Sequence, residues 1–190
     1  MESGKAKNGG FVLDIQAIRK RARDHIKNGA VTGGYRGDRE TIVRILNEAL
    51  ATELVCVLRY KRHQFMSAIV GGIPGYAVTK EFAQHATEEQ LHADKIATRI
   101  VQLGGRPDFN PEGLAQRSHA QYVAGETLQQ MLEEDLVAER IAIDTYAEMI
   151  RYVGESDATT RRMLEAILEQ EEEHADELSD FLMRVGRPDR

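Results

Sequence analysis

The sequence predicts an all-α protein. Its fold would be a four-helix bundle with a long crossover between helices two and three and an extra short N-terminal helix. Three observations carry this expectation. Four stretches repeat apolar residues at helical spacing, each over more than 20 residues, and nothing reads as a convincing strand. The first and last connections suit antiparallel neighbours, and the middle one is much longer. The chain also spells one local pattern twice, EEQLHAD at 88–94 and QEEEHAD at 170–176.

Composition permits such a bundle. A chain of 190 residues, 42% apolar and 29% charged, makes one ordinary domain with a full core. No apolar run approaches the ~18–20 residues of a membrane span. The start, MESGKAKNGG, lacks the apolar region of a signal peptide, so a cytoplasmic protein without membrane contact is expected. The single cysteine, Cys56, excludes an internal disulfide framework and a four-cysteine metal site within one chain. A net charge of −6 argues against nucleic-acid binding by the chain as a whole. Residues 1–30 differ, with Lys5, Lys7, Arg19, Lys20, Arg21, Arg23 and Lys27 set against Glu2, Asp14 and Asp24.

The elements follow in order, with residues 1–38 as an N-terminal segment and 39–190 as the bundle. Residues 1–10 are small, polar and Gly-rich and read as a flexible arm. Residues 13–28 read as a short basic amphipathic helix with Leu13, Ile15, Ile18, Ala22 and Ile26 near one face, ended by the Gly-rich stretch 29–38. The first long helix runs from about Arg39 to Met66, with Asp38 as N-cap. A loop over 67–79, holding Gly71, Gly72, Pro74 and Gly75, leads to the second, from about Lys80 to Leu103. The third runs from about Glu126 to Tyr152 and stops near Gly154, and the fourth runs from near Asp157 to just before Gly186. Helices of ~25 residues are ~37 Å long at 1.5 Å per residue. The connection over about 104–125 is long enough to return along the whole bundle.

The repeat extends beyond the opening motif. LNEALATELVCVLRY (46–60) aligns without a gap on LEEDLVAERIAIDTY (132–146), pairing Glu53 with Glu139 and Tyr60 with Tyr146. In the other two helices Glu89 and His92 pair with Glu171 and His174, and Gly-Arg-Pro-Asp recurs at 105–108 and 186–189. The halves are related hairpins. Residues three apart on a helix share a face, so each Glu-x-x-His presents a carboxylate and an imidazole together. Glu53 and Glu139 lie on otherwise apolar faces, where an ionised carboxylate is costly unless paired or metal-bound. Four carboxylates and two imidazoles are the ligand set of a di-iron or di-manganese carboxylate centre in a four-helix bundle. The donors suit Fe or Mn, and the lack of thiolates argues against structural zinc. Glu171 is the ligand in its acidic run because it lies three before His174, so Glu172 and Glu173 should point elsewhere.

These residues resemble the ferritin-like superfamily, specifically bacterioferritin and the Dps-like proteins that carry a bacterioferritin-type di-iron centre. The resemblance covers about residues 39–185 and rests on TELVCVLRY, EEQLHAD, DLVAER and EEEHAD in combination. It implies two iron ions per subunit, with manganese as the alternative. Glu53 and His92 would hold one ion, Glu139 and His174 the other, and Glu89 and Glu171 would bridge them. Tyr60 matches a tyrosine close to that centre. The implied activity is that of a ferroxidase: Fe(II) is oxidised by O2 or H2O2 and ferric mineral is stored in a hollow homo-oligomer, protecting against oxidative stress. The bacterioferritin haem ligand is a Met at the position of Gln90, so no haem is expected. The sequence ends just after the fourth helix, which favours a shell of twelve subunits over one of twenty-four. Alternatives on the same fold are a di-metal peroxidase, a manganese catalase, and a Dps-like DNA-protecting protein that uses the basic N-terminus. A helix packed on a neighbouring subunit is the preferred use of that segment.

Secondary candidates complete the reading. Glu88, Gln170 and Asp135 lie four residues before His92, His174 and Glu139 and are candidates to hydrogen-bond a histidine ligand. Tyr60 and Tyr146 are equally readable as electron donors or as core aromatics. His63 and His85 read as solvated, and Cys56 as a small core residue.

Overall fold

A computed structural model describes residues 12–185. Expectations for the arm at 1–10 and for the second Gly-Arg-Pro-Asp at 186–189 lie outside them. The described residues form α1 (Ile15–Arg21), a 3₁₀ turn (Ile26–Asn28), α2 (Arg39–Val70), α3 (Gly72–Gln102), α4 (Leu114–Arg117), α5 (Leu128–Val153) and α6 (Ala158–Val185), with no strand. None of these helices is long and apolar enough to cross a membrane. The chain divides into two compact units, one ending at Tyr35 and one starting at Arg36.

In the first unit, the helix expected over 13–28 is shorter. Asp14 caps α1 by accepting from the Ala17 amide at 2.9 Å, and the helix ends at Arg21. His25, at φ 52°, adopts the left-handed region, which a continuing α-helix does not admit. None of the α1 side chains is buried, so packing supplies no support for a longer helix.

In the second unit, α2 pairs with α3 and α5 with α6 as two hairpins, while α2 also packs on α5 and α3 on α6. Asp38 caps α2 as expected, with Oδ1 accepting from the Thr41 amide at 3.2 Å. Thr127 caps α5 through a capping box with Gln130. Asp157 caps α6, accepting from the Thr160 amide at 2.9 Å. Gly154, at φ 50°, ends α5.

The loop expected over 67–79 is instead almost wholly helical. The reversal occurs at Gly71–Gly72, and Gly72 takes φ 56°. The glycines there are required by close approach. A Cβ on Gly71 would lie 2.5 Å from the Gly75 Cα, and one on Gly75 would lie 2.3 Å from the Ser67 carbonyl oxygen. Pro74 falls in the first turn of α3, where no backbone donor is needed. Gly/Pro punctuation therefore marks a tight helix–helix junction rather than a loop.

The crossover lies along α2. Asn47 donates to the Arg106 carbonyl at 3.2 Å and accepts from the Asp108 amide at 2.8 Å. Further along, Thr52 accepts from the His119 amide at 2.9 Å, and Arg59 Nη1 donates to the Gln121 carbonyl at 3.0 Å. Arg62 Nη1 and a ring nitrogen of His63 both meet the Ala124 carbonyl. One helical turn, α4, interrupts it. The core between the hairpins includes Tyr60, Phe82, Met131, Leu132 and Leu178, all without measurable exposure.

Candidate metal centre

The four long helices bring Glu53 (α2), Glu89 and His92 (α3), Glu139 (α5), and Glu171 and His174 (α6) into one buried cluster. None of the six is more than 2% exposed. The i,i+3 pairs place His92 Nδ1 3.7 Å from Glu89 Oε2 and His174 Nδ1 3.5 Å from Glu171 Oε2. Across the bundle, His92 Nδ1 lies 3.1 Å from Glu171 Oε1 and 3.4 Å from Glu53 Oε2. His174 Nδ1 lies 3.3 Å from Glu89 Oε1. Two overlapping donor sets result. Glu53, Glu89, His92 and Glu171 form one, and Glu89, Glu139, Glu171 and His174 the other, each with donors within 4.8 Å of one another. Glu89 and Glu171 belong to both sets. Glu172 and Glu173 face solvent, as expected.

The surrounding residues orient these donors. His92 Nε2 is 2.9 Å from Gln170 Oε1, and His174 Nε2 is 2.9 Å from Glu88 Oε2. A proton on each Nε2 satisfies these acceptors and leaves the Nδ1 lone pair directed at the cluster. This is the role expected of Glu88 and Gln170, and each residue serves the histidine of the other helix. The tyrosines cross over as well: the Tyr60 hydroxyl donates to Glu139 Oε1 and the Tyr146 hydroxyl to Glu53 Oε1.

Charge in the cluster is frustrated without a cation. Burial, then the charge of Glu89, pushes Glu53 up to about 8. Burial likewise pushes Glu139 well up, with Glu89 and Glu171 adding to it. Burial and a facing carboxylate also oppose the charged forms of Glu89 and Glu171. Hydrogen bonds from the histidines and from Glu53 or Glu139 more than offset this, and both stay below the ordinary value. Burial opposes the His174 cation, but Glu171 and Glu89 raise it to about 11. Glu171, Glu53 and Glu89 raise His92 in the same direction against its burial.

The donors fit a pair of divalent cations. Glu53 Oε2, Glu89 Oε1, both Glu171 oxygens and both Nδ1 atoms are buried without a hydrogen-bond partner. Six such atoms would be costly in a closed core, and they converge on one space.

Three expectations are corrected. Asp135 does not reach a ligand histidine. It is fully buried and accepts from Arg59 Nε at 2.7 Å while its other oxygen meets His63 Nδ1 at 2.7 Å. His63 is therefore not solvated: it joins Asp135 to the crossover at Ala124. His85 is not solvated either. It is fully buried, stacked on His174 with ring centroids 4.0 Å apart, and edge-on to Tyr60 at 5.2 Å. Its Nε2 meets Glu177 on α6 and Glu81 on α3. His85 lies seven residues before His92, two turns along one face, and that spacing was the available signal. Cys56 is a buried free thiol, as expected.

Fold and site together define a four-helix-bundle protein with a paired carboxylate–histidine centre. Residues 43–187 match the ferritin-like domain. Bacterioferritin from Mycobacterium avium is 32% identical over 151 residues, covering 77% of this chain and 86% of that one. A dodecameric thioferritin, the bacterioferritin-related protein of Bacteroides fragilis, superposes with a TM-score of 0.73 at 30% identity, covering 80% of this chain and 90% of that one. Bacterioferritin from Desulfovibrio desulfuricans, a structure with a diiron site, superposes with a TM-score of 0.67 at 26% identity, covering 78% and 84%. The chain belongs to the ferritin-like family.

Proposed function

We propose that this protein is a cytoplasmic ferroxidase and iron store, oxidising Fe(II) with O2 or H2O2 and holding the ferric product inside a homo-oligomeric shell of twelve chains. The observation that carries the reading is the convergence of six buried donor side chains on one space, five of them with unpartnered atoms. Likeness to bacterioferritins supports iron as the metal, and the dodecameric relative supports the shell.

In this reading Glu53 and His92 would hold one iron, Glu139 and His174 would hold the other, and Glu89 and Glu171, which belong to both donor sets, would serve both. Two Fe(II) ions held there would supply the electrons that reduce the oxidant. The chain's own groups do the rest. Gln170 and Glu88 fix the histidine tautomers, and the Tyr146 and Tyr60 hydroxyls hold Glu53 and Glu139 in place. Protons leave Glu53, Glu139 and the two Nδ1 atoms when cations enter. The apolar core around the site excludes bulk water.

Iron analysis and the initial rate of Fe(II) oxidation under O2 and under H2O2 test the proposal. Wild type is expected to retain two irons per subunit at the centre and to oxidise Fe(II) rapidly. Glu53→Ala and His174→Ala should each slow oxidation at least tenfold. Variants that oxidise Fe(II) as fast as wild type would show the site assignment to be wrong.

A further inference from the structure

One polar cluster beside the centre adds carboxylates that do not belong to either of its donor sets. Glu81 and His85 lie one turn apart on α3, and Glu177 faces them from α6. His85 Nε2 is 2.9 Å from Glu177 Oε2 and 3.5 Å from Glu81 Oε1. One donor atom from each of the three lies within 4.8 Å of the other two. The imidazole is fully buried, while the Glu81 side chain is 19% exposed and that of Glu177 45% exposed.

We propose that Glu81, His85 and Glu177 form a third divalent-cation site that adjoins the paired centre and opens to solvent beside it, with His85 also within reach of Glu139 and His174. One imidazole and two carboxylates suit a first-row transition cation such as Fe(II), Mn(II) or Co(II). Two donors each about 2.1 Å from one cation are about 3 Å apart at right angles and about 3.4 Å apart at the tetrahedral angle, which brackets the 2.9 Å and 3.5 Å from His85 Nε2 to its two carboxylates. The histidine is held ready for this role. Its ring is stacked on His174 at 4.0 Å and lies edge-on to Tyr60 at 5.2 Å, so it has little freedom to turn away. A hydrogen bond from His85 to Glu177 alone would leave the Glu81 carboxylate beside a second carboxylate in a half-buried place. A shared cation removes that repulsion, and water on the exposed side completes its coordination. The cation so held is one stacked ring away from His174.

The site shares no side chain with the six residues of the paired centre, so its test is independent of theirs. Crystals of the full chain soaked in Co(II) and recorded at the cobalt edge should show an anomalous peak within bonding distance of His85 Nε2. In a Glu81→Gln/Glu177→Gln variant, which keeps side-chain volume at two solvent-reaching positions, that peak should vanish while the fold persists. Calorimetric titration should lose one Co(II) per subunit in the same variant. In Glu53→Ala the His85 peak should remain, which separates this site from the paired centre. No cobalt at His85 in wild type, or a peak that survives in the double variant, would overturn the proposal.

Discussion

At the scale of single residues, the centre is governed by where its protons reside. Glu53, raised to about 8, and His174, raised to about 11, are protonated near neutrality in the metal-free chain. A cation must displace those protons, so each one displaced makes affinity rise roughly tenfold per pH unit below the pKa. Co(II) affinity should therefore climb at least tenfold between pH 6 and pH 7.5, read by titration calorimetry in buffers of different ionisation enthalpy. A pH-independent affinity would show that the ligands hold no displaceable protons. The same shifts set the metal-free stability. Glu53 and Glu139 have folded-state values above the ordinary carboxylate value, so protonation favours the fold. Their contribution is complete below the unfolded value of about 4.5 and, for Glu53, is lost as pH rises through about 8. The shifts of His92 and His174 have the same sign, while His85, lowered first by burial, opposes them. Lowered Glu89 and Glu171 add nothing in this window, since they are ionised in both states. The metal-free melting temperature should fall from pH 5 to pH 8, and added cation should restore it.

At the scale of elements, periodicity made the long helices legible, and the expected cap at Asp38 placed the start of one of them. The six centre residues were legible because the pattern occurs twice: one Glu-x-x-His is ambiguous, but two in matching hairpins converge. Residues whose partners are distant in sequence were not legible. His63, His85 and Asp135 look like surface polarity in a single helix, and only the packing of α2 on α5 and α3 on α6 gives them buried partners. The stretch 67–79 misled for a different reason. Glycine serves there to let the ends of α2 and α3 touch rather than to form a loop. This makes Gly75 a sharp test. A Gly75→Ala methyl would meet the backbone oxygen of Ser67 at 2.3 Å, and neither backbone can yield without opening the hairpin. The substitution should cost about 1–3 kcal/mol in denaturant unfolding. Gly33→Ala, whose methyl would meet nothing closer than 3.8 Å, should be neutral. Equal stabilities would mean that the junction is not this tight.

At the scale of the whole molecule, the two hairpins form a centre whose halves are exchanged. Each helix of the α3/α6 pair orients the histidine of the other, and each tyrosine of α2 and α5 holds the carboxylate of the other. Neither hairpin alone completes a donor set. The outside of the bundle shows a different need. Leu58, Phe65 and Ile69 lie seven and four residues apart along α2, a spacing that puts them on one helical face, and they are 55%, 69% and 75% exposed. Large apolar side chains on one face are costly in water and mark a surface that another chain covers. The proposed shell of identical subunits would supply that cover. Light scattering should give a native mass of about 256 kDa for twelve chains of 21.3 kDa. Phe65→Asp, which puts a charge in the middle of the stripe, should shift the mass to smaller species while helicity is retained. A wild-type mass near that of one chain would rule out the shell, and an unchanged mass in Phe65→Asp would move the subunit interface to another face of the bundle.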